Sequence, residues 1–368
     1  MSVGQDPAHQ SAPVNDDPVS RAENARLRAE ARLAGTIADF FQDDDARLDD
    51  RTRGMLAHVL DAIIGAIESD IRRYAARMLT GNGSTTAAEA ILKEGSNPGR
   101  VTERLTRAGL LRDEDLMDEL IARVRHDLVA AALPIEVTEP DEASLLVRLA
   151  GVPDSIVASA ASALLAAESR RRAANENGTA VGTDLPAELH HRLVWWIAAA
   201  VRTGLKTSSP ASDRAITDAA QRCLAAHDEG ERPDAVAMRL AAALDARPNE
   251  LAAVLVEAIG DRRLSLFVAV LANAIGVAFD QVRAITLEPE GDRLWLALRA
   301  IDLDRSSIAR IALALAEADP RRDIEAFADA LDTIIAIPVA EARTSLAPLA
   351  LHCDFRMALR ALARTERR

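Results

Sequence analysis

Seven apolar residues, Leu56, Leu60, Ile63, Ile67, Ile71, Tyr74 and Met78, step by four and three along one stretch of the chain. That spacing holds them on a single face of an α-helix running from about Leu48 to Leu79. A stripe this long resembles a coiled-coil seam and needs a partner helix, from this chain or from a second copy. A homodimer through helix 48–79 is therefore one expectation. Pairing within the chain is the commoner answer for a helix with neighbours close in sequence. Gly81-Asn-Gly-Ser84 stops the helix, Thr86 and Glu89 read as caps of a short one ended by Gly95, and Asn97-Pro98 opens another that ends near Gly109. Asp113 starts a helix to about Leu133, before Pro134. Helices joined by such short connections make antiparallel neighbours. Aromatic residues are only 3% of the sequence against 49% hydrophobic, so the core is made of small and straight-chain side chains, which suit helix packing better than sheets. The class expected is all-α.

A second stretch, Asp184 to Leu205, reads as a central buried helix. Asp184 can accept from the free N–H groups of a first turn, and Pro186 tolerates that turn because its missing N–H has no partner there. Leu189, Leu193, Trp196 and Ala200 share a face that Trp195, Ala198 and Ala199 widen, which predicts enclosure on most sides. Arg202 and Gly204 look like its end. The run Leu185-Pro-Ala-Glu-Leu-His-His-Arg-Leu-Val-Trp-Trp196, with Leu164-Leu-Ala-Ala-Glu-Ser-Arg-Arg171 before it, resembles the signature region of the DUF2336 proteins, a bacterial family of unknown function. The resemblance is strongest from about Leu145 to Leu205. It implies an all-helical fold and supplies no activity, cofactor or catalytic residue.

Four places share a pattern of apolar residue, small or apolar residue two on, capping-type residue five on and aliphatic residue seven on: Leu149–Gly151–Asp154–Ile156, Leu244–Ala246–Asn249–Leu251, Ile275–Val277–Asp280–Val282 and Ile301–Leu303–Ser306–Ile308. The physical sense is a helix ending, a joint that plugs the core, a cap and the next helix. Stacked antiparallel hairpins in a degenerate HEAT-like array are the nearest description, since the tetratricopeptide, ankyrin and leucine-rich signatures are absent. The organisation expected is a disordered tail over 1–20, a helical subdomain over 21–174, a loop at 175–183 and a helical-repeat subdomain over 184–368. Pro210, Pro233, Pro248, Pro289, Pro320 and Pro338 punctuate the last part at helix-joint spacing.

Chemistry is sparse. Glu188 and His191 have the Glu-x-x-His spacing of di-iron bundles, but no second such pair occurs. His190 and His191 point about 100° apart on a helix and do not share one metal easily. The acidic run from Asp43 to Asp50 lacks the glycine and glutamate of a calcium loop. Gly204-Leu-Lys206-Thr207-Ser208 has the wrong order for a phosphate loop. Cys223 and Cys353 read as buried structural thiols, and His58 and His126 as solvent-facing or core-edge residues. No cofactor and no metal are expected.

The net charge of −13 disfavours general nucleic-acid or anionic-membrane binding. Local basic patches remain at Arg170, Arg171 and Arg172 and at the C-terminal Arg356, Arg360, Arg364, Arg367 and Arg368. The run Leu264 to Phe279 is too short and too polar to span a bilayer, and the amino terminus lacks a secretory pattern, so a cytoplasmic protein is the simplest reading. The function expected is a non-enzymatic scaffold for an unidentified protein partner, with Glu188, His190, His191, Arg192 and the three arginines 170–172 as candidate contacts. The alternative is an enzyme or metal protein whose site is assembled from distant residues around Glu188 and His191.

Overall fold

The computed structural model describes residues 47–95, 99–135, 143–177, 184–206, 209–352 and positions 355, 356, 358, 359 and 362. The tail expected over 1–20 lies outside them, as does Cys353. Among the described residues there are α-helices and short 3-10 turns and no strand, so the all-α class holds. Residues Arg51–Arg368 form one compact unit, and the helices on either side of 175–183 belong to it together.

The long helix α1 (Asp50–Gly81) carries the seam. Ile63, Ile64, Ile67 and Ile71 are at most 4% exposed, so the chain itself covers the stripe. Arg72 and Arg73, near its end, make specific contacts. Arg72 is buried, pairs with Glu68 and donates to the Ile91 carbonyl at 2.8 Å, tying α1 to α2 (Thr85–Glu94); Arg73 pairs with Asp70. The cap expected at Thr86 is not formed: α2 begins one residue earlier, after Ser84. Next come α3 (Arg100–Arg107) and α4 (Glu114–Ala132), the latter capped as expected by Asp113, which accepts from Leu116 N at 2.9 Å.

The helix pair α5 (Leu145–Ala150) and α6 (Ser155–Asn177) follows, then α7 (Ala187–Gly204) and α8 (Pro210–Ala225). In α7 the buried residues are Leu189, His190, Leu193, Val194, Ile197, Ala198, Ala200 and Val201, both tryptophans are half-buried, and between Leu189 and Val201 only His191 and Ala199 are exposed. The helix is thus enclosed on most sides, as expected, with the two bulky indoles at the edge of the buried face. Asp184 does not cap α7, whose N-cap is Pro186; its carboxylate is used elsewhere. At the far end, Gly204 lets Arg104 of α3 approach, because a Cβ there would lie 2.3 Å from the guanidinium. Arg104 uses that room to donate to the Ala200 carbonyl at 3.2 Å and to Glu94 at 2.8 Å.

The second half contains α9 (Pro233–Leu244), α10 (Pro248–Gly260), α11 (Leu264–Ile275), α12 (Phe279–Thr286), α13 (Asp292–Ala300), α14 (Arg305–Ala318), α15 (Ile324–Ala336) and α16 (Val339–Leu346). Pro210, Pro233 and Pro248 each take a first-turn position, where their missing N–H costs nothing. The core runs through this half: α9 packs on both α6 and α11, α10 on α11 and α14, and α13 on α16. Leu264 to Ala272 are all buried. Among the described residues no single helix is long and apolar enough to cross a membrane.

The four-fold pattern is correct about two of its plugs and wrong about most caps: Gly151 is exposed and Ala246 only half-buried. Val277 and Leu303 are buried at their joints, and Leu251, Val282 and Ile308 are buried one turn on. Only Asp154 caps as expected, accepting from Ile156 N at 2.9 Å, and Ile156 itself is 71% exposed, its neighbour Val157 turning inwards instead. Asn249, Asp280 and Ser306 lie inside the first turn, and the caps are Arg247, Ala278 and Asp304.

Candidate functional site

The inner faces of α4, α6, α9, α11 and α12 should be apolar, yet four arginines converge between them. Arg123, Arg232 and Arg283 are each at most 8% exposed, and the Arg171 side chain is 16% exposed. Each meets carboxylates from other parts of the chain. Arg283 on α12 forks onto Glu119 of α4, donating at 3.3 and 2.5 Å. Arg232, just before α9, donates to Asp234 at 2.7 Å and to Glu229 at 3.0 Å. Arg171 on α6 donates to Asp184 at 3.1 Å and faces Asp127 at 3.6 Å, and Arg123 reaches the same Asp184 at 3.3 Å. Beside them His126 meets the Ser265 hydroxyl at 3.0 Å.

A buried charge persists only when it is paired, and here Glu119, Asp127, Asp184 and Asp234 answer the four guanidiniums one for one. The shifts follow. Burial works to raise the Asp184 carboxyl, and Arg171 and Arg123 overcome it and hold it below the usual range. Burial pushes Arg123 down, with Arg171 adding to the effect. Burial would also lower Arg283, but Glu119 keeps it above its ordinary value. His126, with no water to solvate its charged form, is pushed down to about 4. The gap left among these side chains is about 10 Å³, too small for a substrate.

Two clefts flank this layer. One of about 450 Å³ is lined by Asp70 and Tyr74 of α1 together with His190, Cys223 and His227. The His190 and His227 rings stack at 4.1 Å, and Arg222 lies over the Tyr74 ring at 5.0 Å. Burial drives His190 down to about 4 and raises the Cys223 thiol to about 11. His190 bonds to the Cys223 backbone rather than to its sulfur. At neutral pH this is a neutral imidazole beside a protonated thiol, the reverse of an activated nucleophile. The other cleft, of about 640 Å³, is lined by arginines from three segments and by apolar side chains.

The seven residues singled out in the sequence are divided by this geometry. Arg171 sits in the buried layer and His190 in the smaller cleft. Arg170 reaches out to Glu231 at 3.3 Å, while Arg172 lines the larger cleft. Arg192 clamps α7 to the start of α4 through Asp113 and Asp115, both at 2.8 Å. Glu188 and His191 are exposed, and His191 accepts from the Trp195 indole N–H at 3.2 Å. No group of three metal-ligating side chains converges among the described residues. His126, expected at the surface or core edge, is buried.

Sequence reading missed Arg123, Arg232 and Arg283 because no local spacing links them to acids that come from other parts of the chain. A faint signal existed at Arg283, a charge set between the inward-facing Val282 and Ile285.

A family model for uncharacterised proteins conserved in bacteria matches residues 105–347. That span holds the whole buried layer. No curated protein and no solved structure matches the chain. With well over half of its length matched, the chain belongs to the DUF2336 family.

Proposed function

We propose that this chain is a non-enzymatic scaffold of antiparallel helical pairs, stacked in a HEAT-like manner, that offers an apolar helix face to a protein partner. The observation that carries this reading is a stripe near the C-terminal end. Phe355, Leu359 and Leu362 are 53, 44 and 64% exposed, and they step by four and three, the spacing of one helix face. Other exposed apolar residues, such as Leu92, Ile156 and Leu313, stand singly on their helices, whereas a grouped exposed set marks an interaction surface. The stripe lies beyond the matched residues 105–347.

Charge selects the partner. The sequence around the stripe carries Arg356, Arg360, Arg364, Arg367 and Arg368, which suits an amphipathic helix with acidic flanks on another protein. A second copy would set these arginines against their own kind. The seam of α1, the other route to a homodimer, is already covered within the chain. The protonation states of His126, His190 and Cys223 also favour a binding role over nucleophilic chemistry.

A photo-cross-linking residue placed at Leu359 tests the proposal in bacterial cells that express the chain. A single heterologous adduct with an acidic helical segment, abolished by Phe355→Glu, is expected. Absence of an adduct, or an adduct with a second copy alone, contradicts it.

A further inference from the structure

We propose that the cleft of about 640 Å³ bounded by α1, α4, α6 and the α10–α11 joint binds a small phosphorylated ligand of nucleotide size. This goes beyond the partner face and is independent of it. The chain as a whole carries a charge of −13, yet this cleft reverses the sign. Arg51, Arg171, Arg172, Arg262 and Arg263 line it, against Asp127, Glu168 and Asp261. The acids are committed. Glu168 accepts from Arg263 at 2.6 Å, Asp127 faces Arg171, and Asp261 accepts from the Leu145 N–H at 2.5 Å. Arg51, Arg172 and Arg262 make no side-chain hydrogen bond or ion pair among the described residues. Three unpaired guanidiniums facing one cavity are donors waiting for an anion.

The backbone supplies more donors at the same place. Helix α11 starts in the cleft wall, and its first intrahelical N–H is that of Phe267, which donates to the Arg263 carbonyl at 3.0 Å. The N–H groups of Leu264 and Ser265, both buried and both lining the cleft, have no acceptor among the described residues. A helix start with free N–H groups favours phosphate.

Two further observations point to a ligand. His126 is 4% exposed and reaches this cleft with Nδ1 unpartnered, its Nε2 being taken by Ser265. Arg262 is held at φ 59°. The joint it occupies closes by Arg262 N donating to Ile259 O and Arg263 N to Ala258 O. The equivalent position after α11 is glycine, Gly276 at φ 68°, the residue that such a joint prefers. An arginine kept at a strained position is a side chain wanted for its contacts. Met55, Leu128, Ile135 and Leu264 add apolar surface to the same lining, which suits a base or similar flat body. The volume is within the range of small-molecule sites.

The test is calorimetric titration of the full chain with inorganic pyrophosphate and with a fluorescent nucleoside triphosphate. Saturable binding is expected, weakened at least ten-fold by Arg172→Glu and by Arg262→Glu and unchanged by Arg170→Glu, which lies on the other cleft. Arg262→Gly serves as the folding control: it relieves the strained joint, so Tm should hold or rise while affinity falls. Absence of binding to both probes overturns the proposal. So does binding that survives Arg172→Glu and Arg262→Glu, or an equal loss in Arg170→Glu, which would mark general charge attraction.

Discussion

Helices α11 and α4 are both interior elements, and they are held by opposite means. Along α11 every residue from Leu264 to Ala272 is buried and the face contacts are apolar or small. Along α4 the buried set mixes Leu116, Leu120, Val124 and Val129 with Arg123 and His126, and its ties to α12, α6 and the segment before α7 run through ion pairs. Apolar contacts are non-directional and tolerate sliding. Forked arginine–carboxylate pairs fix one register, and losing one member leaves a buried charge exposed to no solvent. The apolar layer therefore supplies most of the driving force, while the charged layer selects which arrangement of helices is reached.

The contrast can be broken from either side. Phe267 is fully buried in α11, and Phe267→Ala should cost about 3–5 kcal/mol of unfolding free energy by the cavity it leaves. Arg171→Met should cost about 3 kcal/mol, because Asp127 and Asp184 lose their shared partner. Urea midpoints at pH 7 and pH 4 separate the two cases. The penalty at Phe267 stays constant, and the penalty at Arg171 shrinks in acid as the stranded carboxylates take up protons.

A pH profile of stability sharpens the comparison further. His126 titrates at about 4 in the folded chain against an ordinary value near 6.5. Between those values the unfolded chain binds a proton that the folded chain refuses. Stability should be level above about pH 6.5 and fall by roughly 2–3 kcal/mol towards pH 4 from this residue. His126→Gln should flatten that slope; an unchanged slope would remove His126 from the charged layer. Below that window the lowered carboxyl of Asp184 adds a loss of the opposite origin, its protonation weakening both arginine contacts.

The smallest effect lies at a helix start. Asp304 accepts from the Ser306 and Ser307 N–H groups and hydroxyls, which hold its carboxyl far below the usual range. Asp304→Ala should cost about 1 kcal/mol in thermal unfolding, and Ser306→Ala less.

How legible each layer was follows from the same contrast. The stripe of α1, the start of α4 at Asp113 and the plugs at Val277 and Leu303 could be read because apolar periodicity and capping are local signals. The caps read at Asn249, Asp280 and Ser306 each lie two residues late, inside the first turn, because a polar residue suits the first turn as well as the cap. The buried layer was hidden for a different reason. Arg123, Arg171, Arg232 and Arg283 stand far apart in the sequence, and an arginine met singly or in a short basic run usually belongs to the solvent face. Asp184 illustrates the ambiguity: the residue type suits a cap, and tertiary contact with two guanidiniums won.

A double-mutant cycle on Glu119 and Arg283, read by urea unfolding at pH 7, asks most directly whether the charged layer clamps α4 to α12. Glu119→Met and Arg283→Met should each destabilise, and the double variant, which restores an apolar pair, should recover at least about 1.5 kcal/mol of their summed cost. Additivity within about 0.5 kcal/mol would show two independent side chains and contradict a clamp.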